Sequence, residues 1–275
     1  MSKALVLGGG GVAGIAWELG VIAGLHDAGV DVTTADLVVG TSAGSVVGAQ
    51  VRSGAAIDAL YQRQFVPVED SGEPELELDL ETLVPIFREV AGDPNDPARL
   101  AKVGALALSA KTPAEDERRA IVANRLPSSE WPARPLVVTA VDAASGEFTA
   151  FDRSSGVSLV DAVAASCAVP GIWPPVTIDG HRYMDGGVRS TTNADLAAGH
   201  DRVLVVMPFK GFSQVDGEIA GLEAGGAVVV TILADEASVE AIGANPLDPS
   251  RRAPSAEAGR RQGGEAAAAV AAEWA

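Results

Sequence analysis

The sequence is poor in the residues that hold metals or cross-links. One cysteine, Cys167, stands among 275 residues, with three histidines, His26, His181 and His200. A single cysteine excludes an intrachain disulfide and any thiolate zinc cluster, and three scattered histidines leave little for a metal site. Positive charge is also scarce. Twenty basic residues face 37 acidic ones, a net charge of −17, so the protein as a whole repels nucleic-acid phosphates and anionic membrane surfaces. Nucleic acid is therefore not an expected partner, and membrane contact is expected to be transient at most. Long hydrophobic runs are missing as well: no stretch of about 18 apolar residues occurs. Met1-Ser2-Lys3 leads directly into a strand-like segment, without the charged and apolar regions of a signal peptide. The expectation is a soluble cytoplasmic protein of open oligomeric state, with Cys167 as a small core residue.

What is present is apolar residue in quantity, 47% of the chain, enough for one large domain over residues 1–275. Lys3–Leu7 reads as a strand ended by glycines, and Ile15–Ala28 as an apolar helix stopped by Gly29. The unit repeats with a strand at Asp36–Val39 and a helix at Ala43–Arg52. Further strands are expected at Pro135–Val141, Glu147–Asp152, Arg202–Pro208 and Ala227–Ala234. Helices are expected at Ser158–Ser166, Ala237–Gly243 and Ala256–Ala272. This alternation predicts an α/β fold with a mainly parallel sheet covered on both faces. Residues 66–132 differ: an acidic beginning precedes helical patterns at Thr82–Val90, Pro97–Ser109 and Pro113–Asn124, which together read as a helical insertion. Residues 244–264 read as a loop entering a surface helix.

Two glycine motifs carry the chemistry. Gly9, Gly11 and Gly14 satisfy G-x-G-x-x-G, the spacing of a dinucleotide loop, although four consecutive glycines satisfy many patterns. Gly40-Thr41-Ser42-Ala43-Gly44 is G-x-S-x-G between a strand and a helix, where a serine is presented on a sharp turn as a nucleophile. The alternative is a plain helix N-cap serine. A nucleophile needs a base and an oxyanion hole. His200 lies at the wrong end of its strand, His26 near the end of the first helix, and His181 after the Asp179-Gly180 turn, about 13 Å from Asp185 along an extended chain. A carboxylate is the better base, and Asp185, followed by Gly186-Gly187, is the candidate, against the alternative of a solvated turn aspartate. A dinucleotide fold needs an acid at the end of the second strand, whereas Asp36 opens it and Ser42 follows its end. The glycine loop therefore reads as an oxyanion hole formed by backbone at Gly9, Gly10, Gly11 and Val12.

In this order the motifs resemble the patatin-like phospholipase family: the glycine loop Gly8–Gly14, the serine motif Gly40–Gly44, the block Ala165–Val176 (ASCAVPGIWPPV) and Asp185-Gly186-Gly187. The resemblance implies a three-layer α/β/α sandwich and a Ser42–Asp185 dyad that hydrolyses acyl esters of lipids without metal or cofactor. It departs from the family at Ala13, where Arg or Lys is usual. Two other readings differ in class, an NAD(P)-binding oxidoreductase that uses the same glycines and a catalytically silent interaction module.

Overall fold

The computed structural model describes residues 1–75, 86, 93, 95–209 and 213–274. Eight strands form one sheet: β1 (Lys3–Leu7), β2 (Leu37–Gly40), β3 (Leu136–Asp142), β4 (Phe148–Phe151), β5 (Val176–Ile178), β6 (His181–Asp185), β7 (Arg202–Met207) and β8 (Val228–Leu233). Their order is β5-β6-β3-β2-β1-β7-β8, with β4 also paired to β3. The run from β3 to β8 is parallel, and β4, β5 and β6 are antiparallel. Asp179 and Gly180, both at positive φ, make the tight turn between β5 and β6. The strand β5 carries no alternation long enough to be expected from sequence.

Side chains alternate across the sheet and so divide between two layers. Leu5 and Leu7 of β1, with Leu204 and Val206 of β7, join the main core cluster. Its helical side is built by α1 (Gly11–Asp27), α2 (Ala43–Arg52), α3 (Ile57–Gln62) and a long helix at Arg252–Trp274. Ala4, Val6, Val203 and Val205 point the other way, toward Ala194, Ala197 and Leu222, the last of these on the helix Ser213–Ala224. The result is the three-layer α/β/α sandwich.

Between α2 and β3 the chain forms a short turn of helix, α4 (Val68–Ser71), then α5 (Pro97–Ser109) and α6 (Glu115–Arg125). The expected helix Thr82–Val90 lies outside the described residues, apart from the buried Ile86. The remaining helices are α7 (Leu159–Ser166), capped by the Ser158 side chain, α8 (Ser213–Ala224), α9 (Glu236–Ile242) and α10 (Arg252–Trp274).

One pairing in the sheet decides where the site falls. Val138 of β3 pairs with both Gly40 of β2 and Phe151 of β4, and Ala140 pairs with both Asp185 of β6 and Thr149 of β4. A strand has two edges, so β2 and β6 must share the edge opposite β4. Running in opposite directions along that edge, they end facing one another, one at Gly40 and the other at Asp185.

Two expected boundaries are corrected. The first helix begins at Gly11, inside the glycine run, and not at Ile15. The C-terminal helix begins at Arg252, and it is no loosely attached surface element. A Cβ on Gly20 or Gly24 would meet the backbone of Ala256 and Arg260 at 2.2 and 2.1 Å, and one on Gly259 or Gly263 would meet Trp17 and Val21 carbonyls at 2.2 Å. The two helices run parallel with backbones touching, and only glycine permits this approach. Gly264, one residue on, meets nothing within 4 Å. Gly263→Ala is expected to destabilise the protein by about 1–3 kcal/mol, whereas Gly264→Ala should stabilise it by up to about 1 kcal/mol through helix propensity. Urea unfolding of the two variants reads the opposite signs directly.

Candidate functional site

Ser42 lies where β2 turns into α2, with φ 54° and ψ −117°, a conformation rarely adopted by a residue bearing a side chain. Both flanking glycines are needed for the turn. A Cβ on Gly40 would meet the Gly44 carbonyl oxygen at 2.5 Å, and one on Gly44 would meet the Leu7 carbonyl oxygen at 2.1 Å. The turn is held by the Gly44 N–H, which donates to Gly8 O, and by the Ser42 N–H, which donates to Ser166 Oγ at 2.9 Å. Ser42 occupies the N-cap position of α2, yet its hydroxyl makes no capping bond. The hydroxyl therefore does not cap the helix, and it lies beside the Asp185 carboxyl, whose charged form it favours.

Asp185 is buried, and its Oδ1 accepts the Gly187 N–H at 2.7 Å. Burial pushes its pKa up to about 6, against the lowering pull of the Ser42 hydroxyl, the Gly187 amide and the charge of Arg118. The turn beyond it is pinned by Asn193, itself in the left-handed region at φ 49°. Asn193 Nδ2 donates to Ser190 O at 2.8 Å and to Thr41 Oγ1 at 3.0 Å, and Thr41 Oγ1 lies 2.9 Å from Thr139 Oγ1. This buried polar cluster ties β2, β3 and the Asp185 turn together beneath the two candidate residues.

The glycine loop adjoins Ser42, as a Cβ on Gly9 would lie 3.6 Å from the Ser42 Cβ. Its four candidate positions are not equivalent. The Gly9 N–H donates to Thr191 O at 2.8 Å, so Gly9 holds the loop and has no free donor. Gly10, Gly11 and Val12 donate to no backbone acceptor among the described residues, because they precede the helical bonding of α1. Ala13 in turn donates to Pro246 O at 3.0 Å. Asp36 lies at the opposite end of β2, where its carboxylate accepts the Lys3 N–H at 2.7 Å. It is thus remote from the loop in the way a dinucleotide site does not allow. His181 is a mostly exposed residue after the Asp179-Gly180 turn, as expected, and its Nδ1 lies 2.7 Å from Asp142 Oδ2.

A narrow cleft opens over Ser42, lined by Val12, Ile15, Val169, Trp173 and Leu247 among others, with Arg118 and Arg125 at its wall. A second shares Val12, Ile15, Glu73 and Arg125 with it and is also lined by Arg63 and Arg252. Several of these residues carry no signal in the sequence. Cys167, a core residue on sequence grounds, is buried but also donates its thiol to Ser42 O at 3.3 Å, and burial pushes that thiol's pKa up. Ser166 belongs to the ASCAVPG block, which hints at importance without naming a partner. Arg118, Pro246 and Leu247 arrive from distant segments. Burial pulls the Arg118 guanidinium down to about 9, assisted by the neighbouring charge of Arg125 and opposed by Cys167, Glu73 and Asp185, so it remains protonated at neutral pH.

A serine on a strained strand-to-helix turn, beside a buried carboxyl in an α/β/α sandwich, is the structural context in which a G-x-S-x-G sequence points to a hydrolase. The sequence profile of the patatin-like phospholipase family matches residues 5–198, and the chain belongs to that family of hydrolases. In fold it is similar to the crystal structure of VipD from Legionella pneumophila, with a TM-score of 0.50 and 14% identity over 98% of this chain and 67% of that one. A likeness to the type III effector protein ExoU covers 98% of this chain and 53% of that one, at 17% identity and a TM-score of 0.45. No curated protein sequence matches the chain.

Asn193→Ala removes the donor from this cluster and leaves a Cβ-bearing residue at positive φ without a local hydrogen bond. The expected cost is about 2–4 kcal/mol, measured by urea unfolding; a loss below about 0.5 kcal/mol would show that the cluster does not hold the turn.

Proposed function

We propose that the protein is a serine acyl hydrolase that cleaves carboxylic esters of lipids, such as phospholipid, lysophospholipid or another acyl ester, through an acyl-enzyme. The observation that carries this reading is the Ser42 hydroxyl on its strained turn, uncapped and beside the buried Asp185. Ser42 Oγ attacks the ester carbonyl while Asp185 takes its proton. The tetrahedral oxyanion is met by the N–H groups of Gly10, Gly11 and Val12, which have no backbone acceptor among the described residues. Collapse expels the alcohol, which receives the proton from Asp185. Water then attacks the acyl-enzyme with Asp185 again as base, and release of the acid restores Ser42.

A carboxylate at its ordinary pKa of about 3.9 is a feeble base, and the rise to about 6 improves proton acceptance while leaving Asp185 mostly ionised at pH 7. The apolar lining of the cleft suits an acyl chain, and the charge of −17 disfavours docking on packed anionic bilayers. We therefore propose monomeric or micellar esters, met in the cytoplasm, as the working substrates.

Ser42→Ala is expected to lower p-nitrophenyl ester turnover by about three orders of magnitude or more, and Asp185→Asn similarly. The double variant should be little worse than either, since the two act as one unit; additive losses would assign them separate roles. Wild-type kcat/KM should rise with pH through about 6 as Asp185 ionises, and a profile flat from pH 5 to 8 would remove Asp185 as base.

The oxyanion role of the loop has its own test. A Cβ on Gly10 would lie 2.4 Å from the Pro208 ring and 2.8 Å from Gly14 Cα, so Gly10→Ala must displace the donors. Turnover is expected to fall about a hundredfold, with no NAD(H) or NADP(H) binding by calorimetry in either protein. Micromolar nucleotide binding would restore the oxidoreductase reading.

A further inference from the structure

The cleft over Ser42 contains a cation that the hydrolytic steps do not use. Arg118, on α6, is 2% exposed. Among the described residues its Nε and Nη1 have no hydrogen-bond partner, and Nη2 makes only a 3.5 Å contact with Cys167 O. The guanidinium lies 3.8 Å over the Trp173 ring, a stacked arrangement that fixes the plane and leaves the N–H edges free. It shares the cleft lining with Ser42, Gly11 and Val12.

The other arginines nearby are satisfied. Arg125 is paired with both Glu73 oxygens at 2.7 and 2.6 Å, Arg252 donates to the carbonyls of Arg63 and Val66, and Arg63 donates to Asn124 O. Glu73 is thereby occupied, and Asp185 accepts the Gly187 N–H. The glycine loop brings no side-chain charge of its own, only Val12 and Ala13. A guanidinium buried with two donors unclaimed is unfavourable unless something accepts them, and an oxyanion group does so best.

We propose that Arg118 is the specificity-determining residue of this site, accepting a phosphate or carboxylate group carried on the ester close to the scissile carbonyl. The proposal rests on the hydrolytic reading above and narrows it. The substrate is an acyl ester with an anionic substituent, entering as a single molecule and not from a packed anionic surface. The guanidinium holds that substituent, Trp173 keeps the guanidinium in place, and the carbonyl is left beside Ser42 Oγ.

Three esters with one acyl chain test this with the full-length protein: 1-butyrylglycerol, 3-butyrylglycerate and 1-butyrylglycerol 3-phosphate. Wild type is expected to give kcat/KM at least tenfold higher for one or both anionic esters than for the neutral one. Whichever anion is favoured identifies the substituent. In Arg118→Gln that ratio, taken within the variant so that any common loss cancels, should fall to about one through a rise in KM for the anionic ester. Arg118→Lys should recover part of it, and thermal melts confirm that each variant is folded. A wild-type ratio near one, or a ratio unchanged in Arg118→Gln, overturns the proposal. So does a variant whose only change is an upward shift of the pH profile common to all three esters, since Arg118 would then act only on the charge of Asp185. Cleavage of none of the three by wild type would sink the hydrolytic reading itself, and this proposal with it.

Discussion

The site depends on how β3 uses its edge. Because the edge opposite β4 is shared end to end by β2 and β6, two strands separated by more than 140 residues in the chain finish against one another. Their ends carry the Ser42 turn and Asp185. A fully parallel sheet would have one complete strand along that edge of β3, and the carboxyl could then come only from a loop. Here it comes from the last residue of a hydrogen-bonded strand, so its position is set by backbone pairing. A Cβ on Gly186 would meet the Thr139 Oγ1 at 2.3 Å, which is why glycine follows the aspartate at this junction.

Strain and burial are concentrated at the same point. Ser42 holds an unfavourable backbone angle, Asp185 is a carboxyl removed from water, and Asn193 adopts positive φ. Each is destabilising alone. They persist because the surroundings over-determine them, through Ser166 on the Ser42 amide, the Thr41–Thr139–Asn193 cluster beneath, and Gly9 fixed to Thr191. The fold's apolar layers supply the stability that this polar centre lacks.

Much of this was legible in the sequence because its signals are local. Gly40 and Gly44 bracket a serine after a strand, the Asp179-Gly180 turn announces a hairpin, and alternation of strand and helix gives the parallel sheet. The signals fade where a residue's role is fixed by a distant partner. Gly9 looks like its neighbours in GGGG until Thr191 takes its N–H. The glycines of the C-terminal helix name no partner in the sequence, so residues 244–264 read as a loop entering a surface helix, and only the backbone of α1 explains them. Arg118 sits in a helix rich in charge, with nothing in its spacing to separate it from the ion-paired Arg119 beside it in the chain.

The family match ends at residue 198, yet the Pro246 carbonyl takes the Ala13 N–H and Leu247 closes one side of the cleft. Part of the wall over the nucleophile is thus supplied by a stretch outside the residues that the family pattern matches. Such an arrangement separates inheritance of the reaction from inheritance of its selectivity. The loop carrying Pro246 and Leu247 touches the glycine turn through backbone and one aliphatic side chain, so its sequence can drift while the turn is preserved. Related chains that retain every motif from the glycine loop to Asp185 can then differ in what they admit, and similarity over those motifs alone is a poor guide to a shared substrate.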